Sequence, residues 1–109
     1  MQTKKVTGNT AINEIINPLQ SIRGYQLEGI RLHLSAAGGA GNLTITLDSS
    51  AGAEYDTVLL TQDMTLVSNL VWHLDKPMLF STGDMLIIAW ANANGRTYGL
   101  ETIYNQESR

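Results

Sequence analysis

Residues 81–104 read STGDMLIIAWANANGRTYGLETIY and contain the clearest local structural signal in the chain. A polar turn precedes the apolar run Met85–Trp90, and a second β-prone run covers residues 97–104. The segment between the runs contains Asn94 and Gly95, and these residue types tolerate the positive φ angles of tight turns. The stretch therefore predicts a β-hairpin.

Alternating apolar residues predict further strands before this hairpin. Ile30, Leu32 and Leu34 share one face of residues 28–34, which is the period-two pattern of a half-buried strand. Strands are also predicted over four other segments, which are residues 43–47, 55–61, 66–74 and 78–80. In the third of these, Leu66, Leu70, Trp72 and Leu74 lie on one face.

Turn-forming residues separate these strands. The small residues of segment 36–42 predict a flexible hairpin tip, and residues 48–52 predict another turn. Pro77 should end the strand before it, because proline cannot donate a hydrogen bond to a central ladder.

The spacing of these strands determines the predicted fold. Strands recur about every ten residues and no helical period is sustained, which is typical of an all-β protein. We therefore expect an all-β sandwich or barrel. Residues 21–109 are predicted to form this single domain, and residues 1–20 an N-terminal arm or extended segment. Residues 3–7 fit either a strand or an arm, and residues 11–16 either a strand or a helical turn before Asn17-Pro18.

Composition limits the classes of partner. Of the 109 residues only 16% are charged, and the net charge is -3. This balance argues against a nucleic-acid-binding protein with a basic face. No apolar run reaches the length of a membrane span, and the first residues lack the apolar core of a signal peptide. The chain has no cysteine, which fits synthesis in a reducing cytosol. We therefore expect neither nucleic acid nor a membrane as a partner.

The strand Met85–Trp90 is apolar on both faces. Its odd-numbered residues point one way, and Leu86, Ile88 and Trp90 point the other. One face of an antiparallel sandwich strand normally meets water and is polar. Either a loop or the N-terminal arm covers the outer face, or that face is a subunit interface. The candidate subunit or capsid interface comprises Lys4, Lys5, Val67, Val71, His73, Leu86, Ile88 and Trp90.

No motif in the sequence carries chemistry, so we predict no catalytic residue, metal site or cofactor. His33 and His73 lack metal-ligand spacing and are interpreted as surface or interface residues. An acidic cluster at residues 48–56 fits solvated turn carboxylates better than a calcium loop. The glycines of segment 38–41 lack the lysine of a phosphate-binding loop. Four aromatic residues could instead form a sugar-stacking platform: Trp72, Trp90, Tyr98 and Tyr104. Trp72 is in register with Leu70 and Leu74, which favours core packing for it, and the sequence leaves Trp90 and Tyr98 open.

The order of features resembles that of small jelly-roll proteins in the virions of tailed bacteriophages. It includes the strand IRLHL, the small-residue loop, LTITLD, an acidic turn, and a Trp-containing strand ending in Asp-Lys-Pro. The segment FSTGD with its apolar strand, followed by Tyr98-Gly-Leu, completes a resemblance covering about three quarters of the chain. The family includes capsid decoration (cement) proteins and related head- or tail-attached proteins.

This resemblance implies an antiparallel β-sandwich, jelly-roll-like, with about eight strands. It also implies a non-enzymatic virion protein, made in the host cytoplasm, that forms a homotrimer and binds the capsid or another virion protein. The alternative is a carbohydrate- or receptor-binding β-sandwich module of a phage fibre or tail that uses exposed aromatic residues.

Overall fold

Eight β-strands form two four-stranded antiparallel sheets that pack as a sandwich. The structure is a computed structural model, and it describes residues 2–16 and 25–106. The strands are β1 (Gln2–Gly8), β2 (Ile12–Ile16), β3 (Tyr25–Leu34), β4 (Asn42–Asp48), β5 (Thr57–Asp63), β6 (Asn69–Phe80), β7 (Met85–Trp90) and β8 (Tyr98–Gln106). A short 3-10 turn, Ala53–Tyr55, lies between β4 and β5.

The strand order confirms the predicted jelly-roll-like sandwich. The order is β1-β8-β3-β6 in the first sheet and β2-β7-β4-β5 in the second. Consecutive strands therefore alternate between the sheets, except for β4 and β5, which are neighbours in one sheet. This is the double-sheet winding of an eight-stranded jelly roll.

The inner faces of the sheets form one apolar core. The predicted alternation in β3 is confirmed, because Ile30, Leu32 and Leu34 are buried while Arg31 and His33 are exposed. The second sheet contributes the buried side chains of Ile12, Ile16, Leu43, Ile45, Leu86, Ile88 and Trp90. Leucine, isoleucine and aromatic side chains each stabilise a fold by roughly 1.5–3 kcal/mol when fully buried.

Two connections that we predicted as hairpins cross between the sheets instead. Strand β7 pairs with β2 and β4, while β8 pairs with β1 and β3, so the two runs of the opening stretch do not pair. The turn there is closed by a hydrogen bond from Gly95 N to Asn92 O, so its two central residues are Ala93 and Asn94. The Asn94-Gly95 pair therefore does not occupy both central positions of a tight hairpin turn. Segment 36–42 likewise joins β3 of the first sheet to β4 of the second.

Pro77 does not end its strand, which was predicted to stop there. Strand β6 runs through Pro77 to Phe80 at the edge of its sheet. Its pairing with β3 skips from His73 to Met78, so the segment containing Pro77 bulges out of the ladder. Proline is tolerated at such edge positions because no neighbour needs its missing N–H.

The first described residues belong to both sheets. Strand β1 pairs with β8, and β2 pairs with β7, so both segments adopt the strand conformation that the sequence left open. Lys4 on β1 and Glu14 on β2 form a 2.7 Å ion pair between the two sheets. The predicted boundary between residues 20 and 21 lies outside the described residues.

Gly29 lies at the bulge where β3 changes register against both neighbouring strands. Its φ is +156°, and an added Cβ would lie 2.2 Å from the carbonyl oxygen of Trp72. This oxygen belongs to the backbone of β6, which cannot move aside for a methyl group as the end of a flexible side chain could. Glycine is therefore required at this position.

We predict that Gly29→Ala lowers the free energy of unfolding by about 2–3 kcal/mol, because the methyl group overpacks the ladder. Gly99→Ala is the matched control, since an added Cβ on this strand glycine meets no atom within 4 Å. The control should stay within about 0.5 kcal/mol of the wild type. Urea denaturation at a protein concentration where sedimentation shows only the monomer measures both variants, because self-association would add to the apparent stability. Equal losses of free energy in the two variants would contradict the steric account.

Candidate functional site

Three residues of the predicted interface are part of the core. Leu86 and Ile88 are fully buried, and Trp90 is 3% exposed, so none of them is available to a partner. The sequence could not distinguish the two faces of β7, because both are apolar. The outward face carries Met85, Ile87 and Ala89, which are half-buried.

A modest apolar row crosses the outer face of this second sheet. Ile15, Ile87, Thr46 and Val58 are aligned from β2 to β5. Ile15 and Val58 are exposed at its two ends.

The other interface candidates lie elsewhere on the sandwich. Val71 and His73 are exposed on the outer face of β6, in the first sheet, so they do not extend the β7 surface as predicted. Val67 precedes β6 and packs partly against the core. Lys4 and Lys5 are exposed on β1.

The histidines and acidic residues show no metal-binding arrangement in the described part of the chain. No group of three or more histidines, aspartates or glutamates there could hold a metal ion. His33 Nδ1 forms a 2.7 Å hydrogen bond with Asn69 Oδ1 on the sheet surface. Asp56 accepts a 2.8 Å hydrogen bond from Ser49 N, which is a turn-forming role.

The predicted aromatic platform is not assembled. Trp90 and Tyr98 are buried, and Trp72 and Tyr104 are half-buried against the core. The Tyr104 ring packs edge-on against Tyr25 at a centroid distance of 5.9 Å. The sequence left the placement of Trp90 and Tyr98 open, and the structure places both in the core.

Four connections meet at one end of the sandwich and form a surface that we call the loop end. It comprises residues 9–11, 35–41, 64–68 and 91–97, which join β1–β2, β3–β4, β5–β6 and β7–β8. Arg96 is the single charged residue in these segments. Its Nε donates a 2.8 Å hydrogen bond to Ala37 O. This end of the molecule is thus nearly free of charge.

Hydrogen bonds join neighbouring segments of the loop end. Gly38 N donates to Val67 O, Leu66 N donates to Gly38 O, and Met64 N donates to Gly41 O, at 2.9–3.2 Å. Gly38 is also tightly packed, because an added Cβ would lie 2.6 Å from Met64 O. The segment predicted as a flexible tip is therefore bonded along its length to the β5–β6 connection.

Asn92 fixes the β7–β8 connection to the rest of the loop end. It is buried, has a φ of +50°, and its Nδ2 donates to Thr10 O and Arg96 O, each at 2.9 Å. Its Oδ1 accepts from Arg96 N at 2.9 Å. Asparagine suits this position because it tolerates the left-handed conformation and supplies both donors and an acceptor.

Two described connections at the opposite end of the sandwich, residues 49–56 and 81–84, contain acidic but no basic residues, and we call them the acidic end. The β4–β5 connection exposes Glu54 and Asp56, and Asp84 lies buried in the β6–β7 turn. Asp84 Oδ1 accepts hydrogen bonds from Ser50 N at 2.8 Å and Ser50 Oγ at 2.9 Å, and its Oδ2 accepts from Ser81 N at 2.9 Å. Burial raises the pKa of Asp84, but these hydrogen bonds outweigh burial and hold that pKa below its ordinary value of 3.8.

A groove on the outer face of the first sheet was not predicted from the sequence. It has a volume of about 550 Å³ and lies over Gly99, whose missing side chain leaves its floor open; we call it the Gly99 groove. Two aligned rows of residues line it: Lys5, Glu101, Arg31 and Val71 in one, and Thr7, Gly99, His33 and Asn69 in the other. The only sequence signal was a glycine in the middle of a strand.

Leu66 was also misassigned. The alternation placed it on the buried face of a strand, but it lies in the turn before β6 and is 84% exposed. Its φ is +64°, a conformation that leucine rarely adopts. A hydrogen bond from Val67 N to Met64 O closes this turn with Leu66 at its second central position, where glycine or asparagine is usual.

Comparisons with known proteins found no match, either among protein families or among curated proteins. Residues 2–16 and 25–106 contain no helix long and apolar enough to cross a membrane.

We predict that Asn92→Ala lowers the free energy of unfolding by about 2 kcal/mol, since it removes three hydrogen bonds and leaves alanine in a left-handed conformation. This corresponds to a melting temperature roughly 10 °C lower. Asn94→Ala is the control in the same connection, because Asn94 is exposed. Calorimetry of the two variants measures the difference, and a similar loss in both would contradict the role assigned to Asn92.

Asp84→Asn should lower the free energy of unfolding at neutral pH by about 1–3 kcal/mol, because its amide group would face the N–H of Ser50 or Ser81. The folded pKa of Asp84 lies below the unfolded value of 3.8. The stabilisation by the carboxylate is therefore present above that value and is lost as the pH falls through the folded pKa. Urea denaturation across the acid range should show the wild type and the variant converging below about pH 4.

The matched control for Asp84 is Asp75→Asn, at an exposed position on β6. It should change stability by less than about 0.5 kcal/mol. A difference between wild type and Asp84→Asn that stayed constant down to pH 2 would contradict the assignment to the carboxylate.

Proposed function

We propose that this protein is a non-enzymatic structural protein of a bacteriophage virion, a capsid decoration or cement protein that assembles as a homotrimer and binds the shell. The observation that carries the proposal is the loop end, a surface of four connections that is nearly uncharged and held in place by its own hydrogen bonds.

The lack of charge suits contact with another protein. The cores of protein interfaces are depleted in charged residues, because a charge that loses water without gaining a partner is costly. In the loop end the single charged side chain, Arg96, already has Ala37 O as an acceptor. A flat partner surface can therefore cover this end without leaving a buried charge unpaired.

The hydrogen bonds within the loop end also favour binding. A surface that is ordered before association loses less conformational entropy when it binds. Asn92 joins the β7–β8 connection to the β1–β2 connection, and Gly38 joins the β3–β4 connection to the β5–β6 connection. Arg96 links the two pairs through Ala37 O, so the four connections form one surface. We infer that this end faces the capsid.

The acidic end fits the same orientation. Glu54 and Asp56 are exposed there, and the whole chain carries a net charge of -3. Acidic groups that project from a particle into solvent keep particles apart by mutual repulsion. The loop end thus suits contact with a protein, and the acidic end suits contact with water.

A carbohydrate-binding function through exposed aromatic residues has less support. Trp90 and Tyr98, two of the four residues on which it rested, are in the core. The jelly-roll topology does not decide between the two functions, because this fold serves many unrelated ones.

We predict that Ala93→Glu in the loop end abolishes binding to the shell, because it places a charge in the contact surface. The control is Ala53→Glu at the acidic end; both alanines are exposed. The assay adds each purified protein to capsids of the phage that encodes it and measures the fraction that bands with capsids in a density gradient.

The wild type and Ala53→Glu should band with capsids, and Ala93→Glu should remain at the top of the gradient. Sedimentation of the wild type alone should give the mass of a trimer. Absence of the wild type from the capsid band would overturn the proposed function.

A further inference from the structure

We propose that Leu66 of one copy of this chain inserts into the Gly99 groove of the next copy, and that this head-to-tail contact builds the oligomer. The proposal rests on the homo-oligomer proposed above and adds the residues that hold it together. It is drawn from two features, one protruding and one concave.

Leu66 is the protruding feature. It combines an exposed apolar side chain with a left-handed backbone, and neither property stabilises the isolated fold. Asparagine or glycine would adopt this conformation with less strain and would not expose a large apolar group. A partner that buries the side chain gives leucine a function at this position.

The Gly99 groove is the concave feature. Its walls are preformed, because Thr7 Oγ1 donates a 2.7 Å hydrogen bond to Tyr98 O and His33 is bonded to Asn69. Val71, which is 68% exposed, and the aliphatic stem of Arg31 provide apolar contacts beside the open floor. A volume of about 550 Å³ accommodates Leu66 together with its neighbours in the turn.

The charges of the two surfaces are compatible. Inside the groove, Arg31 Nη2 lies 2.6 Å from Glu101 Oε1, and Lys5 Nζ lies 4.0 Å from Glu101 Oε2. Glu101 therefore balances one of the two cations of the groove, and the Lys5 side chain, which is 75% exposed, can keep its ammonium group in water. The turn that carries Leu66 has no charged residue between positions 64 and 68, so its insertion brings no further charge into the groove.

The arrangement also allows a closed assembly. Leu66 and the groove are different surfaces of one chain, and the exposure of Leu66 shows that it does not fill the groove of its own chain. A contact between two different surfaces is heterologous, and such contacts form a ring when the rotation between copies closes. The three connections of the loop end other than the β5–β6 turn then remain available to the shell.

The test uses two variants that should fold. Leu66→Asn removes the protrusion and retains a residue that tolerates the left-handed conformation. Gly99→Val fills the floor of the groove, where an added Cβ meets no atom within 4 Å. The control is Leu79→Ala, which removes another exposed leucine at the far end of β6.

Analytical ultracentrifugation should show the wild type and Leu79→Ala assembled, and both other variants weakened in self-association by roughly tenfold or more. Melting of the two variants should show that each still folds. Mixing Leu66→Asn with Gly99→Val should give a one-to-one complex that grows no further, because only one functional protrusion and one functional groove meet.

Assembly of either variant with wild-type affinity, or a mixture that stays monomeric while the wild type assembles, would overturn the contact. If the wild type assembles and both variants do so equally, the contact fails and the oligomer stands. A wild type that stays monomeric would overturn both the contact and the proposed oligomer. A glycan that binds Leu66→Asn but not Gly99→Val would show that the groove takes a saccharide instead of a second copy.

Discussion

The burial of one shared apolar layer between two sheets is the constraint on which the rest of this structure depends. Because consecutive strands lie in opposite sheets, the chain crosses from one sheet to the other at every connection except that between β4 and β5. Each crossing takes backbone polar groups out of a ladder, and these groups need other partners. Asn92, Arg96 and Gly38 supply such partners at the loop end. The order of that surface is therefore a consequence of the winding of the chain.

The parts of the fold that local pattern determines were predictable. Alternation in β3 and β4 and the bounds of β7 follow from residues adjacent in sequence, and the structure agrees with them to within a few residues. The choice of sheet for each strand depends on partners far along the chain, so the turn at Asn94-Gly95 suggested a hairpin that does not form. The prediction that Pro77 ends its strand was wrong for a related reason. The effect of proline depends on whether its strand is central or at an edge, and β6 is an edge strand.

The candidate surfaces were harder to predict than the fold. Leu66 continues the apolar alternation of Leu70 and Trp72, and only the turn geometry shows that it points into solvent. The Gly99 groove draws its walls from four strands that are separated in the sequence. The two apolar faces of β7 made its inner residues look like an interface, because the sequence contains nothing that tells inner from outer.

The position of β8 in the first sheet determines the order in which this chain can fold during synthesis. Strand β1 pairs with β8, and β3 needs β8 to complete its second side. Until the ribosome has released β8, the earliest strand has no ladder partner in its sheet, and β3 exposes an edge. Folds dominated by such distant pairings form slowly, and their unpaired edges favour aggregation. A nascent chain stalled before Tyr98 would therefore expose unpaired strand edges and tend to aggregate. Pairing of β8 with β1 and β3 removes these edges.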